Sequence, residues 1–214
     1  KRLSLIGMAG IGKSYWAEKL EAEGFRRFCC DDLIAGKLGP QLIRSDGATM
    51  TMGEWMGFPF HEQYEGCEHK YLSYEIEVLN EVLAYLGDSE SPQEENIVID
   101  TTGSVVYTGQ ERLEALRRLT TVVYLITPPE VRRKLLEAYV THPHPMIWNG
   151  MFDRKPEETN EEALKRCYPR LLAARQRTYE LFADVTIDYY RCRQKDFGVR
   201  EMLEAVEKKE GRKR

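Results

Sequence analysis

The chain has 214 residues, and 31 lysines and arginines against 35 aspartates and glutamates leave a formal charge of −4. Hydrophobic residues make up 42 % of this ordinary globular composition, and no apolar run approaches the length of a membrane span, so no membrane partner is expected. A mildly acidic chain also lacks the basic face that nucleic-acid binding needs. The length suggests one domain over 1–214, as a monomer or homodimer. The opening apolar run, Leu3 to Ile6, is too short for a signal peptide. The cysteines Cys29, Cys30, Cys67, Cys167 and Cys192 form no CxxC pair and are odd in number, which predicts free thiols in a cytoplasmic protein.

In chain order, the pattern predicts a strand over 3–6 and a helix over 13–23 stopped by Gly24. A strand over 25–30 follows, ending at Asp31-Asp32, then a short helix to about 38 that Gly39-Pro40 breaks. Residues 39–60 read as irregular and rich in Gly, Met and aromatics. A long helix over 62–86 carries an apolar stripe of Tyr71, Tyr74, Ile76, Val78, Leu79, Val82, Leu83 and Leu86. Residues 87–95 read as a polar loop. Then come a strand over 96–100, a helix over 110–119, a strand over 121–126 and a helix opened by Pro128-Pro129. Residues 141–159 read as a loop, Asn160 as the cap of a helix to about 183 with Pro169 as a point of interruption, 184–189 as a strand and 197–208 as a closing helix. Five apolar strands, each followed by a helix, predict a three-layer α/β/α fold with a parallel sheet, whose ligands lie at the carboxyl ends of the strands.

Gly7-Met8-Ala9-Gly10-Ile11-Gly12-Lys13-Ser14 matches GxxxxGK[ST] between a strand and a helix. Its glycines let successive backbone N–H groups turn inward onto phosphate, and the helix that follows presents its positive end. Gly7, Ala9, Gly10, Ile11, Gly12, Lys13, Ser14 and Tyr15 are therefore the candidate nucleotide contacts, with Arg132 and Arg133 added from the later helix. Lys13 would reach the terminal phosphates, and the Ser14 hydroxyl would bind Mg²⁺. No guanine-reading motif follows a strand, which favours ATP.

Asp31-Asp32 at the second strand's end offers a carboxylate to take a hydroxyl proton or to hold Mg²⁺ through water; Asp32 is favoured, with Asp31 the alternative and helix capping the competing role. Asp100 closes an apolar strand beside the phosphate loop, as a magnesium-directed carboxylate does. Thr102, Gly103 and Ser104 offer hydroxyls and a close-approach glycine to a polar substrate. Trp55, Phe58, Phe60, His61 and Trp148 are candidate walls of the acceptor pocket.

With these motifs the chain resembles the shikimate kinase family, within the nucleoside-monophosphate-kinase-like P-loop kinases, from about 3 to 188. Residues 5–14 resemble the family's opening strand and phosphate loop. Asp32 falls near its DxD, Thr102-Gly103-Ser104-Val105-Val106 resembles its GGG loop, and Pro145-Met146-Ile147 resembles its lid RPLL with His144 in the arginine's place. Arg175-Gln176-Arg177-Thr178-Tyr179 followed by Ala183-Asp184-Val185 resembles its R-x-x-x-Y…AD segment, which maps Arg175 onto an arginine that binds the substrate's carboxylate. The resemblance implies a five-stranded parallel sheet of order 2-3-1-4-5, a substrate-binding region at about 31–86 and a lid at about 141–159.

Two departures are chemical. The stretch matching FRxxE reads Tyr71-Leu72-Ser73-Tyr74-Glu75, so Leu72 replaces a substrate-binding arginine, and the lid arginine is also lost. Both changes remove bidentate carboxylate recognition. The expectation is an ATP- and Mg²⁺-dependent kinase in which Lys13 and Asp32 are catalytic. Ser14, Asp32 and Asp100 hold the metal; Asp32, Thr102, Gly103, Ser104 and Arg175 bind a small-molecule phosphate acceptor other than shikimate. Arg44 and Lys70 are the residues that could replace the missing guanidiniums. Shikimate, sugar-acid or nucleotide phosphorylation is the alternative, and an ATP-binding regulatory module without transfer is the alternative of another class.

Overall fold

The structure is a computed structural model that describes residues 1–88 and 95–210. The polar loop expected over 87–95 lies mostly outside the described residues.

Five strands form one parallel sheet: β1 (Arg2–Ile6), β2 (Arg26–Cys29), β3 (Ile97–Asp100), β4 (Thr121–Leu125) and β5 (Val185–Ile187), in the order β2-β3-β1-β4-β5. The expected strand order is thus observed. Ile97, Val98 and Ile99 of β3 and Leu3 and Leu5 of β1 are fully buried, as strands covered on both faces must be. The edge strand β2 is partly exposed and opens on two arginines.

The helices are α1 (Lys13–Ala22), α2 (Cys30–Leu38), α3 (Met52–Met56), α4 (Tyr64–Gly87), α5 (Gln110–Leu119), α6 (Pro129–Thr141), α7 (Asn160–Phe182) and α8 (Val199–Glu210). No helix among the described residues is long and apolar enough to cross a membrane. All five cysteines are free thiols.

Three local expectations are corrected. Residues 39–60 are not wholly irregular: Thr51 and Glu54 form a reciprocal capping box that starts α3. The long late helix is capped by Thr159 rather than Asn160, through the same device with Glu162. Pro169 does not interrupt it, because the residue is exposed, as is Lys165 four positions earlier, and water can serve the carbonyl that the proline leaves unpaired.

Helix α2 begins at Cys30, directly after β2, so Asp31 and Asp32 lie in its first turn rather than at a strand end. Neither caps it; the cap position is Cys29, without a side-chain bond. This register decides which aspartate faces inward.

Candidate active site

The loop between β1 and α1 is built from backbone conformation. Gly7, Gly10 and Gly12 all have positive φ, which L side chains seldom adopt. Lys13 is 7 % exposed, and its Nζ donates to the carbonyls of Gly7 and Met8 at 3.0 Å each. Burial pushes its pKa down, opposed by the charges of Asp31 and Asp100.

A cavity of about 550 Å³ opens at the carboxyl ends of the strands. Ala9, Gly10, Gly12, Lys13, Ser14 and Tyr15 line it from the phosphate loop; Asp31, Tyr71, Thr102, Gly103 and Ser104 line it from α2, α4 and the loop after β3; Thr51, Met52, Gly53, Pro143, His144 and Pro145 complete it. The closeness of these segments is set by glycines. A Cβ at Gly103 would stand 2.9 Å from the Ala9 nitrogen, and one at Gly53 only 1.9 Å from the Pro143 carbonyl oxygen. A larger groove of about 1380 Å³ runs along the outer face of α1, between Tyr15, Trp16 and Lys19 on one side and Arg193 and Phe197 on the other.

The inward carboxylate is Asp31. It accepts from Tyr71 Oη at 3.0 Å, and burial raises its pKa against the opposing pull of Lys13. Asp32 is exposed and does not line the cavity, because one residue turns a helix by about 100°. The expectation placed on Asp32 therefore moves to Asp31.

Asp100 is also redirected. Its carboxylate is 3 % exposed and meets Arg27 Nη2 at 2.7 Å, so it closes a buried ion pair instead of facing the cavity. Arg132 bonds to Gln176, and Arg133 stands exposed near Glu137; neither lines the cavity. Gly7 and Ile11 shape the loop from outside the cavity wall. Arg175 is buried at 2 % exposure, with Nη1 on the Gly103 carbonyl at 3.1 Å and Nη2 on the Ile147 carbonyl at 2.6 Å. It is a clamp joining the loop after β3 to the 141–159 segment rather than a wall of the cavity. Tyr179 Oη donates to the same Gly103 carbonyl.

Trp55, Phe58, Phe60, His61 and Trp148 do not line the cavity either. Phe58 meets Tyr139, and Phe60 and Trp148 both meet Phe152, an aromatic bed under the 141–159 segment. Tyr64 Oη donates to the Met146 carbonyl at 2.7 Å, and the Trp148 backbone N–H donates to Tyr64 Oη at 3.0 Å, fastening that segment onto α4. Arg44 pairs with Glu54, and Lys70 is exposed, so neither supplies the lost guanidiniums here.

Three polar groups carry more than the sequence reading gave them. Glu75 is 2 % exposed and accepts from the Thr102 hydroxyl and, at 2.8 Å, from Ser104 Oγ. Burial pushes its pKa up to about 7 despite those bonds. Tyr71 lies one turn earlier and holds Asp31. Their signal was legible: Tyr71, Glu75, Val78 and Val82 share one helix face, so Glu75 is an acid on the apolar stripe. His144 lines the cavity with a buried Nε2 that has no hydrogen-bond partner among the described residues. Burial, with Arg175 and Lys13 nearby, lowers its pKa to about 4, so the ring is neutral at pH 7.

ATP and Mg²⁺ can be tested against these groups. The glycine-built loop, Lys13 and the exposed Ser14 suit a polyphosphate. No group of three His, Cys, Asp or Glu suited to a metal occurs among the described residues. Ser14 and Asp31 fit a magnesium ion that takes its remaining ligands from phosphate and water.

No protein-family model and no curated protein matches the chain. Solved structures do. The shikimate kinase of Acinetobacter baumannii, in complex with shikimate, is 23 % identical with a TM-score of 0.58 over 97 % of this chain and 89 % of its own. That of Aquifex aeolicus is 20 % identical with a TM-score of 0.58 over 97 % and 96 %. That of Bacteroides thetaiotaomicron is 19 % identical with a TM-score of 0.54 over 97 % and 94 %. With its five-stranded parallel sheet and phosphate loop, the chain has the P-loop fold of the shikimate kinases.

Proposed function

We propose that the protein is an ATP-dependent phosphotransferase that phosphorylates a hydroxyl of a small polar metabolite other than shikimate. The observation that carries this is that Lys13 and the half-buried Asp31 line one cavity together with a phosphate loop and a set of polar side chains. The loop amides and Lys13 hold the nucleotide's phosphates, and Lys13 turns from the loop carbonyls onto the transferring group. Ser14 and Asp31 would hold magnesium brought with ATP, which would supply charge neutralisation to the phosphates. Asp31 orients the acceptor hydroxyl and takes its proton as the new O–P bond forms. The bond between the γ-phosphorus and its bridging oxygen breaks, and ADP leaves. The 141–159 segment acts as the lid and 31–86 as the substrate region of a single domain.

The test is ATP turnover against a metabolite panel, read by phosphorus NMR of the product, in wild type and Lys13→Ala. Transfer should fall by about 10²–10³-fold in the variant. Turnover that survives the loss of Lys13 would remove the phosphate loop from the reaction.

A further inference from the structure

The hydrogen-bond polarity of the acceptor wall restricts what can bind there. Asp31, Tyr71, Thr102 and Ser104 form that wall. Each of its three hydroxyls already gives its proton to a carboxylate inside the protein. Tyr71 Oη donates to Asp31 Oδ1 at 3.0 Å, Ser104 Oγ to Glu75 Oε2 at 2.8 Å, and Thr102 Oγ1 to Glu75 Oε1. Glu75 sits behind Thr102 and Ser104 and, when ionised, accepts and never donates. Above pH 7, where Glu75 is ionised, lone pairs of hydroxyl and carboxylate oxygens are therefore what this wall presents, and the binding comparison belongs there.

Donors are scarce at the same place. Lys13 is the one lysine or arginine lining the cavity among the described residues, and it stands at the phosphate end. Arg175 turns both terminal nitrogens onto the backbone carbonyls of Gly103 and Ile147. The neutral His144 ring can give or take a single bond at Nε2.

A carboxylate or phosphate ester offers acceptors alone, so it would meet lone pairs and the charges of Asp31 and Glu75. A hydroxyl group brings its own proton. We propose that the acceptor is a polyol or sugar without carboxylate or phosphate, held through its hydroxyl protons by Asp31, Tyr71, Thr102 and Ser104. This rests on the phosphotransferase reading for what happens to the ligand, and on the wall alone for what the ligand is.

The experiment uses matched sets, tetritols to heptitols, each as polyol, as the acid in which one hydroxymethyl is a carboxylate, and as the corresponding amino compound. Binding is measured by calorimetry with ADP and magnesium present, where no transfer occurs. Transfer from ATP is measured separately by phosphorus NMR. In at least one set the polyol should bind about tenfold or more tighter than its acid. Tighter binding of acids overturns the proposal, and so does the absence of polyol binding at millimolar concentration in every set, or amines that bind more weakly than their acids. Polyol binding without transfer sinks the phosphotransferase reading and leaves the ligand class standing.

Glu75→Gln supplies the internal check. Its amide donates to one of the two hydroxyls and turns that proton toward the cavity, so the acid-to-polyol affinity ratio should rise about tenfold. Tyr71→Phe removes one acceptor and should weaken polyol binding about tenfold while ADP affinity stays unchanged. An unmoved ratio in Glu75→Gln together with unmoved polyol affinity in Tyr71→Phe, or the one that applies to whichever of them folds, overturns the proposal.

Discussion

The two ends of the cavity are built by different means. The phosphate end comes from one contiguous loop, Gly7 to Ser14, whose chemistry resides in backbone N–H groups and a single lysine. The acceptor end is assembled from side chains of α2, α4 and the loop after β3, with Asp31, Tyr71, Thr102 and Ser104 brought together over a sequence distance of some 70 residues. A backbone device tolerates many neighbours and repeats across unrelated chemistries. A side-chain device changes with each substitution. Reaction type is therefore written at one end and specificity at the other.

The sharpest way to break this division is to swap the adjacent aspartates. Asp31→Asn should lower transfer about 10²–10⁴-fold with nucleotide affinity within a few fold, because it removes the proton acceptor while the loop amides, Lys13 and Ser14 still hold the phosphates. Asp32→Asn, on the exposed face of the same helix, should leave turnover within about twofold. Initial rates and nucleotide binding of both variants decide the matter. Equal losses would mean that α2 presents both carboxylates to the substrate.

A smaller effect separates the polar network from the fold. Glu75 titrates at about 7 in the folded protein, pushed up by burial and by Asp31 and opposed by Thr102, Ser104 and Arg175; Tyr71 and Tyr179 respond to its charge. A carboxyl whose folded pKa is raised binds its proton more tightly in the native state. Its stabilisation is complete below the ordinary glutamate range and is lost as pH rises toward 7. The loss is on the order of 3 kcal/mol. His144 runs the other way: its pKa is lowered to about 4, so its contribution is present above about 6.5 and is lost as pH falls through about 4. Denaturant unfolding of wild type and Glu75→Gln across pH 4–8 isolates the first slope by difference. Parallel curves would show that Glu75 titrates alike in the folded and unfolded chain.

The smallest expected effect concerns the contact that joins the two ends from above. Gly53→Ala places a methyl against the Pro143 carbonyl, a backbone atom that cannot turn aside. Better helix propensity in α3 gains about 1 kcal/mol, and the overlap should cost about 1–3 kcal/mol more than that, so the melting temperature falls. The acceptor's KM should rise while the ATP KM holds. An unchanged melting temperature would mean that the 141–159 segment is free to lift.

Most of the fold was legible because buried parallel strands are short apolar runs with a fixed following element, and the phosphate loop is a local pattern with a single geometry. Asp31 was harder. A helix that starts one residue earlier than expected rotates Asp32 outward, and no local feature of Cys30-Asp31-Asp32 fixes that start. The box formed by Thr51 and Glu54 was written in the sequence but masked by the surrounding glycines and methionines. Arg175 was located by its motif, yet its partners are carbonyls of Gly103 and Ile147, distant in sequence, and a motif carries no information on partners of that kind.

The Arg27–Asp100 pair has a consequence for timing. A strand-end carboxylate pointed at the phosphates would let a protein collect a divalent ion ahead of its nucleotide. Here that carboxylate is locked to a guanidinium at 2.7 Å, and Ser14 and Asp31 are the protein groups left at the loop's mouth. Two ligands do not strip a strongly hydrated dication of its water. On the proposed reading the ion would therefore enter as cargo of the nucleotide, and the polyphosphate rather than the polypeptide would set the order of arrival.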